Sequence, residues 1–265
     1  MGNGEVKGMD TRRAVKIIIA LLVIINVLMG FYLFNITRSP RSFDQENEKT
    51  LEIMGYREIT LSTAIPDDAG QVKKIQYADA LFNEDSIAFI QDILEADVFI
   101  TQNHVLSIST QVDIPGGVLD RYEADTVSKR LMDSIGFDHR PYVLESVSME
   151  ASSVFFLQYV YESDGQYFYE SYIRVRVNEG GQIQCEIRQI NHTDGGAMRG
   201  YEVIPASNIL MSGILRTDNR SMNIIGIDSG YILDNEGETL HCWRIQFNDG
   251  TTRHFDSRSG KEIIK

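Results

Sequence analysis

The sequence predicts an α+β protein: a single N-terminal transmembrane helix followed by an extracytoplasmic region of helix-plus-antiparallel-sheet units. Three observations predict it. Residues 17–34, IIIALLVIINVLMGFYLF, run for eighteen positions without a charge. Beyond them, helical stripes at 124–135 and 205–215 each precede a group of strand-like runs. Turn pairs such as Asp164-Gly165, Gly180-Gly181 and Asp249-Gly250 then separate those runs, as antiparallel hairpins require.

The apolar run is about 27 Å long as a helix, at about 1.5 Å per residue, close to the roughly 30 Å of bilayer hydrocarbon. Its exit, Gly30-Phe-Tyr-Leu-Phe-Asn35, has no small-residue cleavage pattern, so an uncleaved anchor is expected rather than a secretory signal. Lys7, Arg12, Arg13 and Lys16 precede it, and Arg38 and Arg41 follow. That bias favours a cytoplasmic N-terminus and an exterior body. The expected organisation is a tail over 1–16, the span over 17–34, a linker and first α+β domain over 35–117, and a second domain over 118–265.

The formal charge of −13 becomes −15 for the exterior part, since the tail carries four basic and two acidic residues. An acidic body disfavours nucleic acid and anionic headgroups. The two cysteines, Cys185 and Cys242, fall on opposite sides of their strand patterns, Cys185 with Ile183 and Ile187, Cys242 with Arg244 and Gln246. This argues against a disulfide without excluding one.

In order, Leu51 and Met54 mark one side of a short helix stopped by Gly55. Ile59–Ile65 and Gln71–Tyr77 read as strands around the turn at Pro66–Gly70. Asn83 caps a helix with Ile87, Ile90 and Leu94 in one stripe. Val98–Thr101 and Val105–Thr110 form a hairpin, and Pro115-Gly116-Gly117 marks a domain boundary. Ala124, Val127, Leu131 and Ile135 stripe the next helix. Strands follow at Tyr142–Met149, Ser153–Tyr161, Tyr167–Val177 and Gln182–Ile190. In the third, Tyr167, Tyr169, Ile173 and Val175 alternate with Glu170, Arg174 and Arg176. Pro205 opens a helix carrying Ile209, Leu210, Ile214 and Leu215. Met222–Leu233, Thr239–Phe247 and Thr251–Phe255 close the chain as strands.

No nucleophile elbow, zincin, phosphate-loop or dinucleotide motif is present, and the five histidines lack ligand spacing. Asp138-His139 and His192-Thr-Asp194 pair carboxylate with imidazole in polar surroundings that read as loops. The expectation is a protein with no catalytic residues, no cofactor and no metal. The informative residue is Asn26, an amide at mid-span. With Gly30 one turn later it marks a face suited to another transmembrane helix, an alternative to simple tolerance in lipid.

The layout resembles the YycI (WalI) regulatory family, relatives of YycH. The likeness lies in Met9-Asp10 and basic residues running into the span, which leaves Met1 or Met9 as the start, and in the mid-span amide. It continues in Ala64-Ile65-Pro66, Trp243-Arg-Ile-Gln-Phe247, Arg253-His-Phe-Asp256 and Ser259-Gly260-Lys-Glu-Ile263. The last segment also looks like the closing hairpin of PepSY-type domains. The first eight residues and the middle of the body have no counterpart. The resemblance implies a single-pass accessory regulator of a WalK (YycG) sensor histidine kinase, acting with a YycH-like protein through transmembrane and exterior contacts. Its partners would be that kinase, the YycH-like protein and membrane lipid, with no nucleic acid, and the span around Ile19, Val23, Asn26 and Gly30 would be the kinase-facing surface. The alternative is an anchored PepSY-like module that senses a ligand or restrains a protease. The sign of regulation and any ligand stay open.

Overall fold

The computed structural model describes residues 19–29, 43–80, 82–101, 103–114, 119–150, 153–198, 201–215 and 222–264. The chain divides into two units, Met1–Lys49 and Thr50–Lys265. In the first, α1 covers residues 19–29, the described part of the apolar run. No helix among the described residues is long and apolar enough to cross a membrane. The rest of the expected span, Gly30 and the Pro115–Gly117 boundary lie outside the described residues.

Helix α2 (Phe43–Tyr56) ends where Glu58 turns left-handed. Its buried side is Thr50 and Met54, one turn apart, and Leu51 is exposed. The stripe expected from Leu51 and Met54 is thus displaced by one position. Then come β1 (Ile59–Leu61), shorter than the expected Ile59–Ile65, and β2 (Lys73–Asp79), the length expected but shifted two residues toward the C-terminus. Helix α3 (Glu84–Leu94) starts as expected, the Asn83 side chain accepting from the Ser86 amide. Strands β3 (Asp97–Ile100) and β4 (Leu106–Gln111) form the hairpin. Helix α4 (Arg121–Ser134) is capped by Asp120 and buries Ala124, Val127 and Leu131, with Ile135 just beyond.

Strands β5 (Tyr142–Glu150), β6 (Val154–Ser163), β7 (Gln166–Asn178) and β8 (Gln182–Arg188) follow as an antiparallel meander. Strand β9 (Ile190–Ala197) was not anticipated. Ala206–Ile209, helix α5, passes directly into one π-helical turn, Leu210–Ile214. Strands β10 (Met222–Leu233), β11 (Thr239–Phe247), β12 (Thr252–Asp256) and β13 (Glu262–Ile263) complete the chain.

Among the described residues eleven strands make one mixed sheet, whose main path runs β13-β12-β11-β10-β7-β8-β4-β3. Strands from both sides of the expected 117/118 boundary pair in it, β4 lying against β8. Among the described residues its two halves pair as strands where β7 and β10 run parallel, Tyr167 opposite Gly230 and Phe168 opposite Tyr231. A Cβ at Gly230 would lie 2.3 Å from the Tyr167 carbonyl oxygen, so this close approach needs glycine. Strands β2 and β9 form a separate two-stranded ribbon.

Each half has its own core. Helices α3 and α4 cover β4, β6, β7 and β8 through Leu131, Met132, Ile108, Leu157, Ile173 and Ile187. Helices α2 and α5 cover β10, β11 and β12 through Met54, Ile209, Leu210, Trp243, Ile245 and Phe255. In the second core the Trp243 indole donates to the Ile204 carbonyl at 2.7 Å. The α+β class therefore stands, as two helix-on-sheet layers sharing one sheet.

Two side-chain placements differ from the sequence reading. Between Val160↔Tyr172 and Tyr161↔Phe168 the register skips Tyr169, Glu170 and Ser171, a bulge that reverses the alternation of β7. Ile173 and Val175 are buried in the first core, and Tyr169 points the other way, onto Arg244 and Asp228. Cys242 was expected on an exposed side, yet it is fully buried, because both faces of β11 are covered. Both cysteines are free thiols.

Candidate functional site

Two regions of the body concentrate polar chemistry. The first is the sheet face opposite the helices, at the junction of the halves. Bulges set it up: one in β5 between Leu144 and Ser146 turns out Glu145, and that in β7 turns out Tyr169 and Glu170. Arg244 holds Asp228 bidentately at 2.8 and 2.9 Å and also contacts Glu145. Glu145 accepts from Gln158 at 2.7 Å and Gln246 at 3.0 Å. The Tyr169 hydroxyl donates to Asp228, and the ring lies under the Arg244 guanidinium at 4.4 Å. Glu170 pairs with Arg188 alongside. Burial lowers the Arg244 pKa to about 9 and the His254 pKa to about 4. A hollow of about 430 Å³ opens over these groups. Their charges are spent on one another, which suits a structural network better than a catalytic one.

The second region lies under the β2–β9 ribbon. Phe168, Tyr231 and Ile75 form a small core there, with Tyr77 and Tyr161 at its margin. A cleft of about 740 Å³ runs beside it. One wall is Val72 and residues 73–77 of β2, and the other is the β10–β11 turn and start of β11, residues 237–241, with Asp256 and Arg258. Lys73 bridges Asp194 at 2.8 Å and Asp164 at 2.9 Å, and these two bonds raise its pKa. The Lys73 amide donates to the Tyr231 hydroxyl at 2.7 Å.

His241 closes the base of the cleft. The Gln166 amide nitrogen donates to the Ala69 carbonyl, so its oxygen faces His241 and accepts from Nε2–H at 3.1 Å. His241 Nδ1 then accepts from the Ser257 hydroxyl at 2.8 Å. Burial lowers the His241 pKa to about 4, consistent with this neutral tautomer.

The residues singled out in sequence separate. His139 meets Asp133 at 3.0 Å while Asp138 is held by Arg140, so that pair is a surface ion cluster beyond α4. His192 lies on β9 with its ring 4.5 Å from Phe168, and Asp194 is taken up by Lys73. Among the described residues no group of His, Cys, Asp and Glu is arranged to hold a metal ion. Of the partner-helix face, Ile19, Val23 and Asn26 are exposed on α1, and Gly30 is outside the described residues. The Glu145–Asp228–Arg244 network and the Lys73 bridge were missed, since their members come from separate strands with no local signal.

No known protein family matches the chain, and no curated protein matches it. Among solved structures, the Bacillus megaterium YpeB C-terminal domain overlaps it with a TM-score of 0.39 and 8% identity, over 85% of this chain and 96% of that one. An overlap that low assigns no function.

Proposed function

We propose that the chain is a membrane-anchored accessory regulator of a WalK-type sensor histidine kinase, acting with a YycH-like protein, as its resemblance to the YycI family implies. The observation that carries this is α1. Nine of its large apolar side chains, from Ile19 to Met29, are each 52–65% exposed. A helix apolar on every side is stable only in lipid or against other helices. In this reading Ile19, Val23, Asn26 and Gly30 form the kinase-facing stripe, and the body meets the YycH-like partner outside. The helix regulates by binding one kinase state more tightly than the other, because equal affinity shifts nothing.

The test is a kinase-output reporter in the native host. The intact chain is compared with one whose residues 17–34 are replaced by an unrelated span at equal level and topology. Loss of the effect on output supports the reading. An effect retained by both versions makes the span a mere anchor and favours the second reading, a PepSY-like exterior binding module, which the body's cleft supports. No effect from either version overturns the kinase reading.

A further inference from the structure

We infer that the outer edge of β3 is the docking site for an extended, cationic segment of a partner protein, which adds to the sheet as a further strand. Backbone geometry supplies half of the inference. The main path of the sheet ends at β3, which pairs with β4 alone among the described residues. Thr101 donates to the Val105 carbonyl, and the register that follows turns the main-chain groups of Asp97 and Phe99 toward β4. The far side of β4 agrees. Val112 donates to the Gly181 carbonyl, so the even-numbered residues of β4 face β8 and the odd-numbered ones face β3. The main-chain groups of Val98 and Ile100 therefore point off the sheet. One of these groups is taken, because the Gln91 side chain of α3 donates to the Val98 carbonyl at 3.2 Å. Gln91 thus holds the place that an N–H of an added strand would occupy. The Val98 N–H and both groups of Ile100 have no partner among the described residues. Open edges are templates for strand addition.

Charge supplies the other half. Residues 75–120 hold eight Asp and Glu and no Lys or Arg. Five of these acids, Glu84, Asp85, Asp92, Glu95 and Asp97, stand exposed on α3, its cap and β3. Among the described residues no Lys or Arg lies within ion-pair distance of any of the five. Asp92 lies in the last turn of α3 and Glu95 caps it, where the helix dipole favours cations, and that turn has no basic residue. A cationic partner relieves this local penalty, whereas a second copy of the chain would set like charges against like. Side chains fit the same occupant. Asp97 and Phe99 share the face of β3 opposite Val98, which is buried in the first core, and Phe99 is 56% exposed. A strand alternating lysine with valine places its cations beside Asp97 and the Phe99 ring, and its valines beside Val98 and Ile100. The inference goes beyond the kinase reading and does not depend on it, because it concerns the body alone.

The test uses the full chain in a neutral detergent and an acetylated, amidated hexapeptide alternating valine and lysine. Hydrogen exchange is followed residue by residue. At about 1 mM peptide, exchange at Val98 and Ile100 is expected to slow about tenfold, which corresponds to a Kd of about 0.1 mM. Gln91→Ala, which frees the Val98 carbonyl, should lower that Kd about threefold. The same peptide N-methylated at every residue should give no slowing. The double variant Asp92→Lys/Asp97→Lys, with its fold verified by circular dichroism, should lose the effect and gain it with a valine–glutamate peptide. Glu236→Lys/Glu238→Lys, in the β10–β11 turn, makes the same change of net charge and should leave the slowing intact. Unchanged exchange at Val98 and Ile100, slowing that survives N-methylation, equal loss in both charge variants, or no tightening in Gln91→Ala would overturn the proposal. So would concentration-dependent protection of β3 without peptide, which would make a second copy of the chain the occupant.

Discussion

Glu145 of β5 and Arg244 of β11 meet across the open face of the sheet, joining strands that belong to different halves and different cores. Both side chains are under a tenth exposed, and Asp228 shares the guanidinium. Replacing Arg244 with Met strands two buried carboxylates, a loss of about 3–5 kcal/mol. The urea midpoint of the full chain should fall accordingly. Replacing the whole cluster, Glu145→Leu/Asp228→Leu/Arg244→Met, should restore most of that loss, because well-packed apolar groups replace buried ions at little net cost. A fall under about 1 kcal/mol for Arg244→Met would show that the network carries little stability.

Gly230 and Gly55 make an opposed pair of tests. Gly230→Ala drives a Cβ into the Tyr167 backbone at the β7–β10 seam, and should destabilise by about 1–3 kcal/mol. Gly55 lies within α2 with open space at its Cβ position, so Gly55→Ala should stabilise by up to about 1 kcal/mol. Thermal melts of the two variants should therefore move in opposite directions.

Acid should destabilise the body through its two buried histidines. His241 and His254 have folded pKa values lowered to about 4 by burial, against an ordinary value of 6.5. The unfolded chain takes up these protons first, so stability is intact above about pH 7 and falls as the pH drops toward 4. Each buried ring contributes up to about 3 kcal/mol of that fall. His241→Asn is predicted to flatten the slope of denaturation midpoint against pH between 6.5 and 4. An unchanged slope in that variant would mean that His241 is protonated in the fold.

The thiols report core integrity. Cys185 and Cys242 are fully buried, and burial pushes the Cys185 thiol up to about 12. A maleimide should label neither in the native chain and both in urea. Labelling of Cys242 alone would show that the second half opens without the first.

The sequence carried the regular elements and lost those made by tertiary contact. The α4 stripe, the Asn83 cap and the turns at Asp164-Gly165 and Asp249-Gly250 are local signals, and each lies where it was expected. Strand β9, INHTDGGA, has an apolar residue only at its ends and mostly exposed side chains. Pairing with β2 makes it a strand, and no local pattern encodes that. The β7 bulge escaped because an alternation read from Ile173 and Val175 was carried back through it. The cleft was invisible for the same reason, as its walls come from β2, the 237–241 turn and the segments around Tyr201 and Arg258.

Strand β1 gives the fold a mechanical entry point. It follows α2 directly and is held by a three-residue parallel ladder to β10, Ile59 to Met222 through Leu61 to Ile224. Thr60 and Ser62 add hydroxyl bonds to the Asn223 side chain. Tension arriving along α2 meets the packing of Met54 and then the ladder of β1 on β10, the same strand that carries the seam to β7. A pull on β1 is therefore shared with the strand through which the two halves pair.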